Sequence, residues 1–163
     1  MSHIHLINVS DGGVPKLPVD TAEVGLRGLT TDRQADTIHH GSPDQALCLY
    51  SLEVIEALGA EGHPIFPGAA GENLTISGLD WAGVTEGDRF RLGDDVVIEV
   101  TFPATPCSKN AEWFVDRNFK RMSHDLHPGS SRTYARVLQP GSVSTGDPVV
   151  AVVTAVARSE ETP

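Results

Sequence analysis

Several residue types are scarce in this chain of 163 residues, and each shortage excludes a class of protein. Only two cysteines occur, Cys48 and Cys107, which are too few for a disulfide scaffold and fit reduced thiols better. Lysine and arginine total 12 against 22 acidic residues, giving a net charge of −10, so no nucleic acid is expected as a partner. No apolar run reaches the roughly 18 residues of a membrane span, so no membrane is expected either.

The N-terminal stretch MSHIHLINVS lacks the basic region and apolar core of a signal peptide. Together with the reduced cysteines, this predicts a cytoplasmic protein. No internal repeat, low-complexity stretch or linker interrupts the chain, and its length is typical of one domain. We therefore expect a single domain over 1–158 and a disordered, charged tail over 159–163.

The sequence contains 16 glycines and 11 prolines, which favours many turns and short strands over long helices. At least six strands are predicted, and the clearest two form a hairpin over 85–102. Two helices are expected, one over 51–60 capped by Ser51 and one over 110–123 capped by Asn110. Because the order shows no βαβ rhythm, the sequence predicts a mainly β, antiparallel, barrel-like domain with a few peripheral helices.

In the segment EVTFPATPCSKN (99–110), a strand is followed by two prolines, and Cys107 stands directly after the second. Proline fixes φ and has no N–H to donate, so the chain must leave the sheet in a rigid form that presents Cys107. A thiolate is a soft ligand for molybdenum, zinc or copper(I), or a nucleophile, and Lys109 favours the charged form. The alternative is a thiol that only fills apolar space, which is the interpretation we prefer for Cys48 between two leucines.

Three further segments offer polar groups that suit an anionic ligand. TTDRQAD contains Arg33, which either binds a phosphate or forms a surface ion pair. His39 and His40 lie in the turn-rich HHGSPD, where one could orient a ligand. GENLT contains Asn73, a donor and acceptor next to a glycine that permits close approach, although plain turn chemistry is the alternative. We expect Arg33, Lys109 and one of the histidines to line one cleft with Asn73.

Two other pairs have weaker signals. His124 and His127, three positions apart, have the spacing of half a zinc site, but no second ligand pair stands at a matching spacing and zinc is not expected. Arg132 and Arg136 flank Tyr134 before the final strands and have the same two interpretations as Arg33, a surface ion pair or a phosphate ligand.

Five segments follow one another in a recognisable order: DRQAD…HHGSPDQALCLY, PGAAGENLTISGL, GDRFRLGD, PATPCSKN and YARVLQPGSV…GD. In this order they resemble the MOSC domain, named for the C-terminal domain of molybdenum cofactor sulfurases, and most closely its small stand-alone bacterial members. The resemblance covers about residues 20–150. It implies a β-rich, barrel-like fold and a molybdenum cofactor of the molybdopterin type, with Cys107 as the residue that binds molybdenum or carries sulfur.

The same resemblance implies a function. Such proteins include reductases of N-hydroxylated compounds and sulfur or cofactor carriers. The predicted activity is therefore either that of a molybdenum-dependent oxidoreductase with a small-molecule substrate and a redox partner protein, or that of a sulfur or cofactor carrier. Cys107 is the expected catalytic residue and metal ligand, and the expected cofactor-binding residues are Arg33, His39, His40, Asn73 and Lys109.

Two alternatives stay open at this point. One is a non-catalytic cofactor-binding carrier, and the other is a metal-free thiol enzyme with Cys107 as nucleophile and His39 or His40 as base. Pyridoxal phosphate is not expected, because in the fused sulfurases it belongs to a separate transferase domain. The chain departs from the family pattern at Ala104, where the family often has arginine, and at Thr31, where it often has glycine. One positive charge is therefore missing beside the expected thiolate.

Overall fold

The computed structural model describes residues 1–10, 12–32 and 42–153 of the chain. These ranges contain eleven strands and one α-helix: β1 (His3–Val9), β2 (Leu17–Val19), β3 (Thr21–Gly25), β4 (Gly28–Leu29), β5 (Leu47–Ser51), α1 (Leu52–Ala60), β6 (Leu74–Ser77), β7 (Arg89–Leu92), β8 (Val96–Pro103), β9 (Thr133–Gln139), β10 (Gly141–Ser144) and β11 (Val149–Ala151). Short 3-10 turns connect several of them. The prediction of a mainly β protein is confirmed.

Eight strands form one sheet in the order β11-β7-β8-β9-β5-β6-β1-β2, and three form a second in the order β10-β3-β4. Most neighbours are antiparallel, but β5 and β6 run parallel, with Leu49 opposite Leu74 and Ser51 opposite Ile76. The prediction of a purely antiparallel sheet is wrong at this pair. The reason is that α1 lies between β5 and β6 along the chain and provides the crossover that a parallel neighbour needs.

The predicted barrel is not confirmed, because both sheets are open among the residues that the structure describes. The N-terminal strand does approach the end of the chain. His3 forms an isolated bridge with Pro148, and the Ile4 N–H donates to the carbonyl oxygen of Asp147 at 2.9 Å. These contacts bring β1 beside the segment that leads into β11, but they do not join the two strands in a ladder.

The first predicted helix is confirmed and the second is wrong. Ser51 caps α1, its Oγ accepting a hydrogen bond from the Val54 N–H at 3.2 Å. In place of a helix over 110–123, the chain forms three 3-10 turns, Ser108–Trp113, Val115–Arg117 and Phe119–Met122. Asp116 and Arg117 adopt positive φ angles of 56° and 58°, which a right-handed α-helix cannot contain.

The main core lies among the strands, and its fully buried members include Ile4, Ile7, Leu47, Leu74 and Ile98. A separate small cluster of buried residues consists of Cys48, Ala104 and Tyr134. This second cluster lies where β5, β8 and β9 meet, next to the loop that carries Cys107. Within the described ranges, no helix has the length and apolar character that crossing a bilayer requires.

Candidate functional site

The loop that follows β8 carries Cys107 and is fixed on both sides of it. Before the cysteine, the Ala104 N–H donates to the carbonyl oxygen of Arg132 at 2.9 Å, and Arg132 Nη2 donates to that of Thr105 at 3.0 Å. After it, the Asn110 N–H donates to the carbonyl oxygen of Cys107 at 2.9 Å. The Cys107 side chain is partly exposed. The structure thus presents this thiol to solvent from a constrained backbone, as the two prolines predict.

One carbonyl group joins this loop to the loop that precedes β6. The carbonyl oxygen of Ala70 accepts hydrogen bonds from Arg132 Nη1 at 3.0 Å and from Asn110 Nδ2 at 3.3 Å. Asn110 is therefore a buried connecting residue and not the predicted helix cap. Ala70 stands three positions before Asn73, so the segments that carry Cys107 and Asn73 meet here.

Asn73 is the centre of a buried hydrogen-bond network. Its Oδ1 accepts from the Cys48 N–H at 2.8 Å, and its Nδ2 donates to Asp32 Oδ2 at 2.9 Å. Asp32 also forms an ion pair with Lys16, and both side chains are more than nine-tenths buried. Because protein groups already engage both ends of its amide, Asn73 in this arrangement holds the surrounding segments in place.

The structure says less about the other predicted cofactor-binding residues. Arg33, His39 and His40 lie outside the described residues, although Arg33 directly follows Asp32 along the chain. Lys109 is exposed on the 3-10 turn just after Cys107. The anion cleft thus stays a prediction, with Lys109 and Asn73 on the two segments joined at Ala70.

The zinc interpretation of the second histidine pair gains no support. His124 and His127 are both exposed, and within the described ranges no cluster of three or more potential metal-ligating side chains occurs.

The two cysteines occupy different environments. Cys48 is buried, as predicted, and burial raises the pKa of its thiol to about 11, against the opposing effect of the Arg132 charge. Its strand neighbour Tyr134 lies opposite it across the β5–β9 pair. Burial also raises the pKa of Tyr134, an effect to which the nearby Cys48 and Cys107 add.

Arg132 is a site residue that sequence reasoning left undecided. Its guanidinium is buried, its Nε has no hydrogen-bond partner, and no ion pair involves it among the described residues. Arg136 behaves differently and pairs with Asp44 and Glu99, so the ion-pair interpretation is confirmed for that arginine. The sequence could not separate the two, since both stand in or beside the same strand.

Glu72 is a second residue that the sequence did not single out. It is fully buried, and its Oε2 accepts hydrogen bonds from the Gly68 N–H and from Thr75 Oγ1, both at 2.9 Å. Its Oε1 has no partner. Burial raises the pKa of this carboxyl above its ordinary value.

We predict that Glu72 makes the protein less stable as the pH rises. The folded pKa lies above the unfolded one, so folding takes up a proton, and this contribution is lost as the pH climbs through the raised folded value. Between pH 5 and pH 8, the melting temperature of the parent should therefore fall more than that of Glu72→Gln. The exposed Glu86→Gln serves as the matched control and should follow the parent. Equal pH dependence in all three proteins would contradict the prediction.

A family model described as the MOSC domain matches residues 36–150. The chain belongs to the MOSC domain family. The match confirms the family to which the five ordered sequence segments pointed, and it includes β5, β6, β8 and β9, which position Cys107, Asn73 and Arg132.

Three relatives of this MOSC protein are informative. It is 39% identical over 140 residues to the uncharacterized protein YflK of Bacillus subtilis, an alignment that covers 82% of this chain and 60% of the relative. It is 32% identical over 144 residues to Protein YiiM of Escherichia coli, with coverages of 83% and 62%. A protein of Gibberella moniliformis named reductase is 32% identical over 137 residues, with coverages of 81% and 23%. The chain thus spans about 60% of the length of the two bacterial relatives.

Solved structures show the same fold. YiiM from Geobacillus stearothermophilus superimposes with a TM-score of 0.73 at 30% identity, covering 96% of this chain and 77% of the other. YiiM from Escherichia coli gives a TM-score of 0.71 at 27% identity, with coverages of 95% and 71%. These similarities support the arrangement of strands described for this MOSC protein.

The residues present suit the cofactor that the MOSC family implies. A molybdenum–pterin group needs a soft ligand for the metal and donors for its anionic groups. Cys107 provides a partly exposed thiol, and Arg132 provides a buried cation with an unpartnered Nε. Asn110 Oδ1 likewise lacks a partner in the described structure, and Lys109 adds an exposed cation. The donor set therefore fits this cofactor.

Proposed function

We propose that this MOSC protein binds a molybdenum–pterin cofactor through Cys107 and reduces N-hydroxylated compounds. The observation that carries the proposal is the presentation of the Cys107 thiol. It is partly exposed on a loop that Arg132 and Asn110 fix from either side. A ligand held by packing and hydrogen bonds keeps its geometry when it binds a metal, which is what a redox centre requires.

The chain's own residues would divide the work of binding. Cys107 would be the soft metal ligand, and Lys109 and Arg132 would hold anionic groups of the pterin. Asn73 would fix the backbone on which Arg33 follows Asp32, and Arg33, His39 and His40 would complete the cofactor-binding set. When bound, the cofactor would supply two-electron oxygen-atom transfer.

The overall reaction also implies a partner. An N-hydroxyl group is converted to N–H and water with two electrons and two protons, so the reaction needs an electron donor. We propose a redox partner protein for this role. The Gibberella protein named reductase supports a reductive activity in the family, and this chain spans only 23% of it.

The proposal is tested by expressing the protein in a host that makes molybdenum cofactor. Molybdenum and pterin contents are measured first, and turnover of an amidoxime with a reduced viologen dye is measured next. Bound molybdenum with turnover supports a reductase, whereas bound molybdenum without turnover indicates a carrier. Reactive Cys107 without any molybdenum would point to a metal-free thiol enzyme and contradict the proposal.

A further inference from the structure

We infer that Arg132 supplies the buried positive charge of the Cys107 site, and so takes the part of the arginine that is replaced by alanine at position 104. The identity of the anionic ligand rests on the proposed function. The location of the charge does not, since it follows from the contacts of Arg132 in this chain.

The first argument is that Ala104 and Arg132 share one environment. The two residues are joined by the hydrogen bond from the Ala104 N–H to the Arg132 carbonyl oxygen. Ala104 packs against Cys48, and the Arg132 guanidinium also interacts with that thiol, lowering its pKa against the effect of burial. Ala104 is only 2% exposed, so a longer side chain at this position would have to displace buried neighbours. Arg132, which directly precedes β9, is therefore the arginine that this region contains.

The second argument concerns the charge of Arg132. A buried charge is costly unless it is paired or bound to a ligand. Among the described residues no carboxylate forms an ion pair with Arg132, which is 6% exposed. The buried Glu72 accepts its hydrogen bonds from Gly68 and Thr75, and none from Arg132. The two carbonyl partners of Arg132 satisfy its hydrogen bonds in part but carry no net charge, so an anion bound at the site would complete its environment.

The third argument is the geometry of the guanidinium. Its two terminal nitrogens reach different loops, Nη1 donating to Ala70 and Nη2 to Thr105. Thr105 lies two positions before Cys107. The planar fork of arginine suits this double contact, whereas a lysine ammonium retains the charge without the fork. Arg132 thus positions the Cys107 loop and raises the local positive potential at the same time.

The charge is tested by comparing two alkylating reagents on the protein without cofactor. Iodoacetate is anionic and iodoacetamide is neutral. The rate of Cys107 alkylation by iodoacetate divided by the rate by iodoacetamide, each measured by mass spectrometry, therefore reports the local electrostatic potential. Arg132→Gln should lower this ratio about threefold or more, because it removes a unit charge that is hydrogen-bonded to the loop carrying Cys107. Arg132→Lys should keep the ratio within about twofold of the parent, because it keeps the charge.

Arg91→Gln is the matched control for net charge. Arg91 is exposed on β7 opposite Val97, which stands roughly 20 Å along β8 from Pro103. Its loss should leave the ratio unchanged. An unchanged ratio in Arg132→Gln, or an equal fall in Arg91→Gln, would overturn the inference.

A second experiment tests whether an arginine at position 104 can replace the one at position 132. Ala104→Arg alone should lower the melting temperature, because it overfills a buried position. The double variant Ala104→Arg with Arg132→Ala should be more stable than the sum of the single changes predicts and should regain the parental rate ratio. If Arg132→Gln does not fold, this double variant decides the matter. A double variant that fails to fold, or folds without regaining the ratio, would show that the two positions do not share one role.

The same preparations separate this inference from the proposed function. Molybdenum content is measured on parent and variants made in the cofactor-competent host. A parent without molybdenum but with an Arg132-dependent ratio would contradict the proposed function and support the inference. A parent that binds molybdenum but whose rate ratio does not change in the Arg132 variants would support cofactor binding and contradict the inference.

Discussion

Replacing Cys107 by serine should abolish molybdenum retention and reductase turnover while leaving the protein folded. A hydroxyl is a poor ligand for a soft metal, so the group on which cofactor binding depends is lost. The side chain is only partly buried, and its removal should change the free energy of unfolding by about 0.5 kcal/mol or less. Metal analysis, turnover with a chemical electron donor and a melting curve on the same preparation measure the three effects.

Cys48→Ser is the control with the same chemical change in a different place. It introduces a buried hydroxyl next to Tyr134 and should cost about 1–3 kcal/mol of stability. The folded fraction should keep its molybdenum and its activity. In the native parent, Cys107 should be alkylated first, because burial and a pKa of about 11 leave little Cys48 thiolate at neutral pH. Retention of molybdenum by folded Cys107→Ser, or earlier labelling of Cys48, would disprove the role given to Cys107.

Features with local causes could be predicted from the sequence. The β7–β8 hairpin pairs Arg89 with Glu99 and Leu92 with Val96, as alternating residues around a glycine turn indicate. The cap at Ser51 likewise depends only on residues within one turn. The constrained, partly exposed Cys107 belongs with them, because proline restricts the backbone regardless of the surrounding fold.

Features with distant causes could not be predicted. An apolar spacing from Phe114 to Met122 suggested one helix, yet Phe114 and Met122 are buried while Val115 is 46% exposed. The intervening positive φ angles split the segment, so its apolar residues reach the core from separate turns. The parallel pairing of β5 and β6 was missed because a helix between two strands permits parallel pairing but does not show which strands become neighbours in the sheet.

The residues of the candidate site also divide into those with local causes and those with distant causes. Arg132 gains its role from Ala70, a residue 62 positions away, and from Thr105. Neither contact leaves a signal at Arg132 itself, whose sequence neighbours resemble those of the surface arginine Arg136. Glu72 is similar, since the segment GENLT reads as polar turn chemistry until the strands around it bury the carboxyl.

Gly28→Ala should be the most destabilising small substitution away from the cysteines. Gly28 has a φ of +114°, and an added Cβ would lie 2.1 Å from the carbonyl oxygen of Ala46. That oxygen belongs to the backbone just before β5, so it cannot turn aside as a flexible side chain could. Backbone strain of about 1–3 kcal/mol and overpacking of about 1–3 kcal/mol together predict a loss near 4 kcal/mol. At roughly 2–4 °C for each kcal/mol, the melting temperature should fall by about 10 °C.

Gly59→Ala provides the opposite expectation from the same chemical change. Gly59 lies in α1, where an added Cβ would meet no atom within 4 Å, so alanine should stabilise the protein by about 0.5–1 kcal/mol through its helix propensity. Urea unfolding of both variants measures the two effects against the parent. A Gly28→Ala midpoint equal to that of the parent would show that β4 does not press against the start of β5. The strand that carries Cys48 into the site would then be positioned by other contacts.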